Sequence, residues 1–279
     1  MSIAAGDEGS DSSTWLAKMV PGQPEALLWA YADEEAHDRA LRGVAAAEHQ
    51  PAITAWLFGL DLFAAAFAAD SEHGISPTTT PASDLYFPLR CQMLVRAARA
   101  AKPTLDLTLS GYYREAWALE RTMLAEWAQC IYLRLWPASG PPPSCEPAWR
   151  ESARVIVTHG DERDRALFDE ATPRWEFLTV GVLPLSGQTA PLLDADPENV
   201  AFQTAYQAPL CSLALSCGLF IQCALLSELA ALDGHPEEWM TWYATFVEVT
   251  APLHLSGRSE MEHFMEKRAE RCLHMRTPH

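Results

Sequence analysis

The segment LCSLALSCGLFIQCALLS, residues 210–227, is eighteen residues long and carries no charge. A helix of that composition is apolar on all sides, so it must leave water on all sides. Either lipid or a shell of other helices has to surround it. The length only touches what a membrane span needs. Ser, Cys and Gln dilute the run, Glu228 ends it, and no cluster of Lys or Arg flanks it. These features favour a core helix, with Ser212, Ala214, Ser216 and Gly218 allowing close approach of neighbours. The helix is predicted over 199–232, with Pro209 kinking it or marking its start.

The neighbours that could enclose it are also helical. TLDLTLSGYYREAWALERTMLAEWAQCIYLRLW, residues 104–136, reads as the end of one helix, a turn at Ser110-Gly111, and a long helix over 112–136. Tyr113, Ala116, Trp117, Met123, Leu124, Trp127, Ala128 and Ile131 recur at steps of three and four and form one apolar stripe. Pro24 and Pro51 each open a helical pattern, the second nearly all apolar and interrupted by Asp61. Asp84 is a candidate N-cap for the helix that leads to Pro103, which should kink or split it. Pro147 starts another helix, DERDRALFDEA a short charged one, and Pro173 a further turn. Pro236 opens PEEWMTWYATFVEVT, and Ser256 is expected to cap a separate last helix. No strand alternation and no repeat occurs. The expectation is an all-α fold, an irregular bundle of eight to ten helices forming one compact domain over 15–279. Residues 1–14 read as a disordered acidic tail rather than a signal peptide. PASGPPPSCEP, 137–147, reads as a linker between two helical halves, and 181–198 as a long irregular loop.

The formal charge of −17 repels phosphate backbones and weighs against nucleic-acid binding. The excess of Arg over Lys, with abundant Ala and Pro, suggests a bacterial coding bias. Seven cysteines include no Cys-x-x-Cys pair, and Cys211, Cys217 and Cys223 share no helix face. They read as buried thiols in a reducing cytoplasm.

Glu120 falls inside the apolar stripe, with Arg121 beside it and Glu126 one turn and a half further on. A buried carboxylate must be paired or neutralised. Glu120, Arg121 and Glu126 are therefore a candidate buried polar cluster. It would be either a structural ion pair with Arg90, Arg96 or Arg99, or the base of a pocket with Arg121 anchoring an anion. Two Glu-x-x-His pairs, Glu34 with His37 and Glu260 with His263, have the spacing used in di-metal carboxylate bundles, where Glu120 or Glu126 and Glu228 would complete the set. Both pairs lie in charged stretches. Arg258 and His263 match the Arg-x4–6-His spacing of HEPN-type ribonucleases, a pattern that chance also produces in a chain with nine His. Phosphate-loop, dinucleotide, nucleophile-elbow and zinc-protease motifs are absent. No catalytic residue, metal or cofactor is assigned. The chain reads as a soluble, cytoplasmic protein that binds a protein partner, a second copy of itself or a small ligand.

Gly111, Tyr112, Ala118, Leu119, Arg121 and Thr122 carry a resemblance. Over about 85–220 the chain is similar to a loose group of uncharacterised all-helical bacterial proteins with this hairpin pattern. The group often has Glu four residues after the Arg, where this chain has Ala125. In WEFLTVGVLPLSG, Thr179 takes the group's Ser position and Leu183 its His, with Pro184 kept. The resemblance implies an all-α fold and an ordered loop at 181–198 facing the hairpin. A role resting on that His does not carry over.

Overall fold

The computed structural model describes residues 42–43, 45–68, 86–136, 149–182, 200–232 and 235–274. Of some helical residues in these ranges only the backbone is described. Seven helices are bounded among them: α1 Gln50–Ala68, α2 Phe87–Leu109, α3 Tyr113–Leu135, α4 Trp149–His159, α5 Glu162–Val182, α6 Val200–Ala230 and α7 Glu237–His274. Helical residues at 45–48 precede α1, and no strand occurs among the described residues. The all-α expectation is correct. The acidic tail, the proline linker, Asp84 and most of the 181–198 loop lie outside the described residues.

Two helices act as hubs. α6 packs against α1, α2, α3 and α7, and α3 packs against α2, α4, α5 and α6. Nearly every residue of α6 from Cys211 to Leu229 is buried. By length and composition, Gln50–Phe67 and Leu210–Ala230 could each cross a membrane; in this fold 89% of the second window is buried but only 33% of the first. The buried hydrophobic cluster draws on all seven helices, on both sides of the proline linker. Cys211, Cys217 and Cys223 are all buried free thiols.

The α2–α3 hairpin closes as the sequence predicts. Gly111 has φ 82°, a left-handed conformation that a Cβ would strain. Its N–H donates to the Thr108 carbonyl, and the Tyr112 N–H donates back to the Leu107 carbonyl at 2.9 Å. This pair of bonds is a Schellman motif, which satisfies carbonyls that the end of α2 would otherwise leave open.

Pro103 does not split its helix, and Pro173 does not begin a separate turn. Pro103, Pro173 and Pro252 each lie inside a continuous helix. The charged segment after 161 and the turn after Pro173 are one helix, and Ser256 is interior to α7 rather than its cap. A proline removes one helical hydrogen bond and crowds the preceding turn. Burial just beyond the first two of these prolines holds the chain helical: Thr104 and Leu105 follow Pro103, and Arg174 follows Pro173.

α1 lies close to α6 because two glycines leave room. The Trp56 ring sits directly over Gly218, where a Cβ would fall inside the ring, and the Gln222 side chain occupies the space beside Gly59. The indole N–H of Trp56 donates to the Ala101 carbonyl at 3.2 Å, so the same side chain also ties α1 to α2. Gly218→Ala should lower the unfolding free energy by about 1–3 kcal/mol, the usual cost of overpacking. Chemical denaturation of Gly218→Ala, Trp56→Leu and the double variant checks this. The double variant should be less destabilised than the sum of the singles, because Leu vacates the space that the new methyl needs.

Candidate functional site

The three side chains proposed as one polar cluster are not brought together. Successive positions on α3 point in different directions, and each meets a different neighbour.

Glu120 points inward and is 0% exposed. Neither carboxyl oxygen has a hydrogen-bond partner. The expected ion pair with Arg90, Arg96 or Arg99 is absent. Those arginines lie on α2, whereas Glu120 lies near Cys217 of α6, whose thiol burial raises. Desolvation by burial holds the Glu120 carboxyl well above the ordinary carboxylate range. An unpaired charge there would cost several kcal/mol, so burial favours the neutral acid.

Arg121 lies one step round the helix and is half-buried. Its Nε donates to the Thr179 hydroxyl at 3.1 Å, and its guanidinium lies 4.7 Å over the Trp175 ring, a cation–π contact. The Trp175 ring stacks on Trp149 at 4.5 Å and 2°, and Trp149 stacks on Phe168 at 4.7 Å. Arg121 therefore caps a column of rings from α4 and α5. No carboxylate pairs with it among the described residues.

Glu126 faces α2 and forms an ion pair with Arg96 at 2.8 Å, the Arg side chain being 60% exposed. Such a pair contributes less than about 1 kcal/mol. Its existence matches the idea of helix-to-helix pairing, but with Glu126 in the place expected for Glu120.

The larger polar cluster lies at the other end of α3 and was not foreseen. Arg134 Nη2 donates to Asp164 at 2.6 Å and to Glu228 at 3.1 Å. Its Nε also reaches Glu228, at 3.3 Å. Arg90 stands 3.8 Å from the same Glu228, near enough for Coulombic attraction. Two cations and two carboxylates thus join α2, α3, α5 and α6. Asp164, Arg90 and Glu228 are all buried. Burial alone would lower the Arg134 pKa, but the charge of Glu228 and the bonds to Asp164 and Glu228 outweigh it, so the guanidinium stays charged. Arg163 reinforces the join by donating to the Ser227 carbonyl at 2.9 Å and to its hydroxyl. The sequence held one signal of this cluster: Glu228 and Arg134 each stand at the end of an apolar run.

A third group links α5, α6 and α7. Arg174 is 1% exposed, pairs with Glu170 at 3.1 Å, donates to the His254 carbonyl at 2.9 Å and lies 4.2 Å over Phe220. Burial, then the Arg174 charge, push the His254 pKa down to about 4, so its imidazole is neutral.

The buried arginine and carboxylate groups of these arrangements, Glu120 apart, are held in ion pairs or donate to backbone carbonyls. Among the described residues no three His, Cys, Asp or Glu converge on a point that could hold a metal ion. Glu228, one carboxylate considered for a metal, is held by arginines. Glu34 and His37 lie outside the described residues. Arg258, Glu260 and His263 are on the α7 backbone, but their side chains lie outside the described part. Comparison with known proteins found no matching family model, no matching curated protein and no matching solved structure.

Two outcomes test this picture. The raised folded-state pKa of Glu120 means its contribution to stability is complete below the unfolded value near 4.5 and is lost as pH rises through the folded value. Glu120→Gln should match the wild type at pH 5 and become progressively more stable than it toward alkaline pH, read from urea unfolding across that range. Parallel profiles would show that Glu120 is not held neutral. Arg134→Met, which leaves Glu228 and Asp164 under-compensated, should cost about 3–5 kcal/mol by the same measurement.

Proposed function

We propose that this is a soluble, cytoplasmic binding protein whose exposed α7 surface engages a protein partner. The observation that carries this is apolar exposure on the first half of α7. Met240, Trp242, Val247 and Val249 are all exposed, Trp242 at 43% and Val249 at 48%. Water-facing tryptophan and valine at this density are unusual on a surface without a partner, and aromatic residues with Met are enriched where proteins meet. The sealing of Glu120, 0% exposed, weighs against a small ligand reaching its carboxyl group. Burial of α6 among other helices and the buried free thiols support a soluble protein in a reducing compartment.

A photo-crosslinking amino acid at Trp242, compared with one at Thr122 on the exposed side of α3, tests this in cells of the native host. One recurring crosslinked protein from position 242 and none from position 122 is expected. A chain that stays uncrosslinked at 242 and runs as a monodisperse monomer removes the proposal.

A further inference from the structure

The charge around that surface is one-sided. No Lys or Arg occurs in the sequence between Arg42 and Arg90, nor between Arg174 and Arg258. These two gaps contain all of α1 and the first half of α7, and the two helices pack against each other. The exposed ionic groups they present are acids: Asp61 on α1, and Glu237, Glu238 and Glu248 on α7. Apart from Arg42, whose Nε donates to the Ser110 hydroxyl at 2.9 Å, the described basic side chains lie on α2 to α5.

Between the two helices lies a groove of about 110 Å³, lined by Ala65 and Ala66 of α1 with His235, Pro236, Glu238, Trp239 and Trp242. It has room for about one side chain. Its floor is rigid. The Trp239 indole donates to the Leu62 carbonyl at 3.1 Å and stacks on His235 at 4.2 Å, while His235 bonds the Leu229 carbonyl at 2.8 Å. Trp242 and Val249 are seven residues apart and Glu238 is four before Trp242, so helical spacing puts an apolar strip and an acid on one flank of α7.

We infer that the α1–α7 groove takes a basic amphipathic segment of a partner protein, one apolar side chain entering beside Trp242 while Lys or Arg residues meet the surrounding acids. This rests on the binding reading above and names the partner's chemistry. Charge complementarity carries the choice of occupant. A second copy using the same face would bring Glu238, which lines the groove, and the exposed Asp61 of α1 against like charges, and like charges across an interface disfavour it. An anionic bilayer is repelled by the same groups.

The test is fluorescence anisotropy with the full chain and three labelled eighteen-residue peptides: a Leu/Lys amphipathic helix, its Leu/Glu counterpart, and a Lys/Ser peptide of equal charge. The Leu/Lys helix should bind at least about tenfold tighter than either control, a preference that needs both charge and an apolar anchor. Trp242→Ser should weaken it about tenfold, and Glu237→Lys with Glu238→Lys should do so without touching the apolar contact. Circular dichroism checks that each variant is folded; should Trp242→Ser not fold, the charge-reversed variant alone decides. Equal binding of Leu/Lys and Lys/Ser peptides, or binding indifferent to both sets of substitutions, overturns the inference, since a strongly acidic protein attracts any polycation. A crosslink from position 242 to a partner with no basic amphipathic segment, together with no Leu/Lys preference, keeps the binding reading and rejects this one. Failure of both leaves neither.

Discussion

The structure depends on removing α6 from water on every side. Its segment from Cys211 to Leu229 is buried almost without interruption, and no single neighbour can do that. At about 25 cal/mol per Å² of apolar surface, burying a helix of this composition stabilises the fold substantially. It also dictates topology: α1, α2, α3 and α7 must lie around it. Gly218 shows how tightly. The Trp56 ring occupies the volume where any other residue would carry its Cβ, so shape complementarity, and not hydrophobicity alone, fixes where α1 crosses.

Enclosing one helix so completely forces polar groups of its partners out of water as well, and they are accommodated in different ways. Glu120 is neutralised, because no cation reaches it. Arg134, Arg90, Asp164 and Glu228 balance one another across four helices. Arg174 divides its donors between Glu170 and the His254 carbonyl and lays its face on Phe220. Buried threonines donate to carbonyls four residues earlier, as Thr104 does to Ala100, Thr108 to Thr104 and Thr250 to Phe246. These groups explain how so many charged or polar side chains lie inside. Some buried polar atoms still lack a hydrogen-bond partner, among them both oxygens of Glu120 and the side-chain amide of Gln222 on α6, while on the outside α7 exposes tryptophan and valine among acids.

The fold was largely legible and the polar architecture was not. Periodicity located α1, α3 and α6 to within a few residues, and Ser110-Gly111 marked the turn because only a few residues tolerate a positive φ. Proline was a misleading signal at Pro173, which sits inside a helix rather than opening a turn, as Pro103 sits inside one, since burial just beyond each outweighs the local cost. Periodicity did find that Glu120 is buried, as its place in the Trp117–Met123–Leu124 stripe required. It could not find the partner, because partners come from other helices. Arg134 and Glu228 are ninety-four residues apart in sequence, and nothing local joins them.

The sequence by itself determined that the chain is helical, that 210–227 lies at its centre, and that Glu120 leaves water. These follow from side-chain periodicity and from the cost of exposing apolar surface, both properties of neighbouring residues. Only the tertiary structure decided which charges pair, that Glu120 is buried with no hydrogen-bond partner, and that α1 and α7 border one groove. Those outcomes depend on how helices distant in sequence are rotated against each other, and a fraction of a turn is enough to exchange an ion pair for an isolated carboxylic acid.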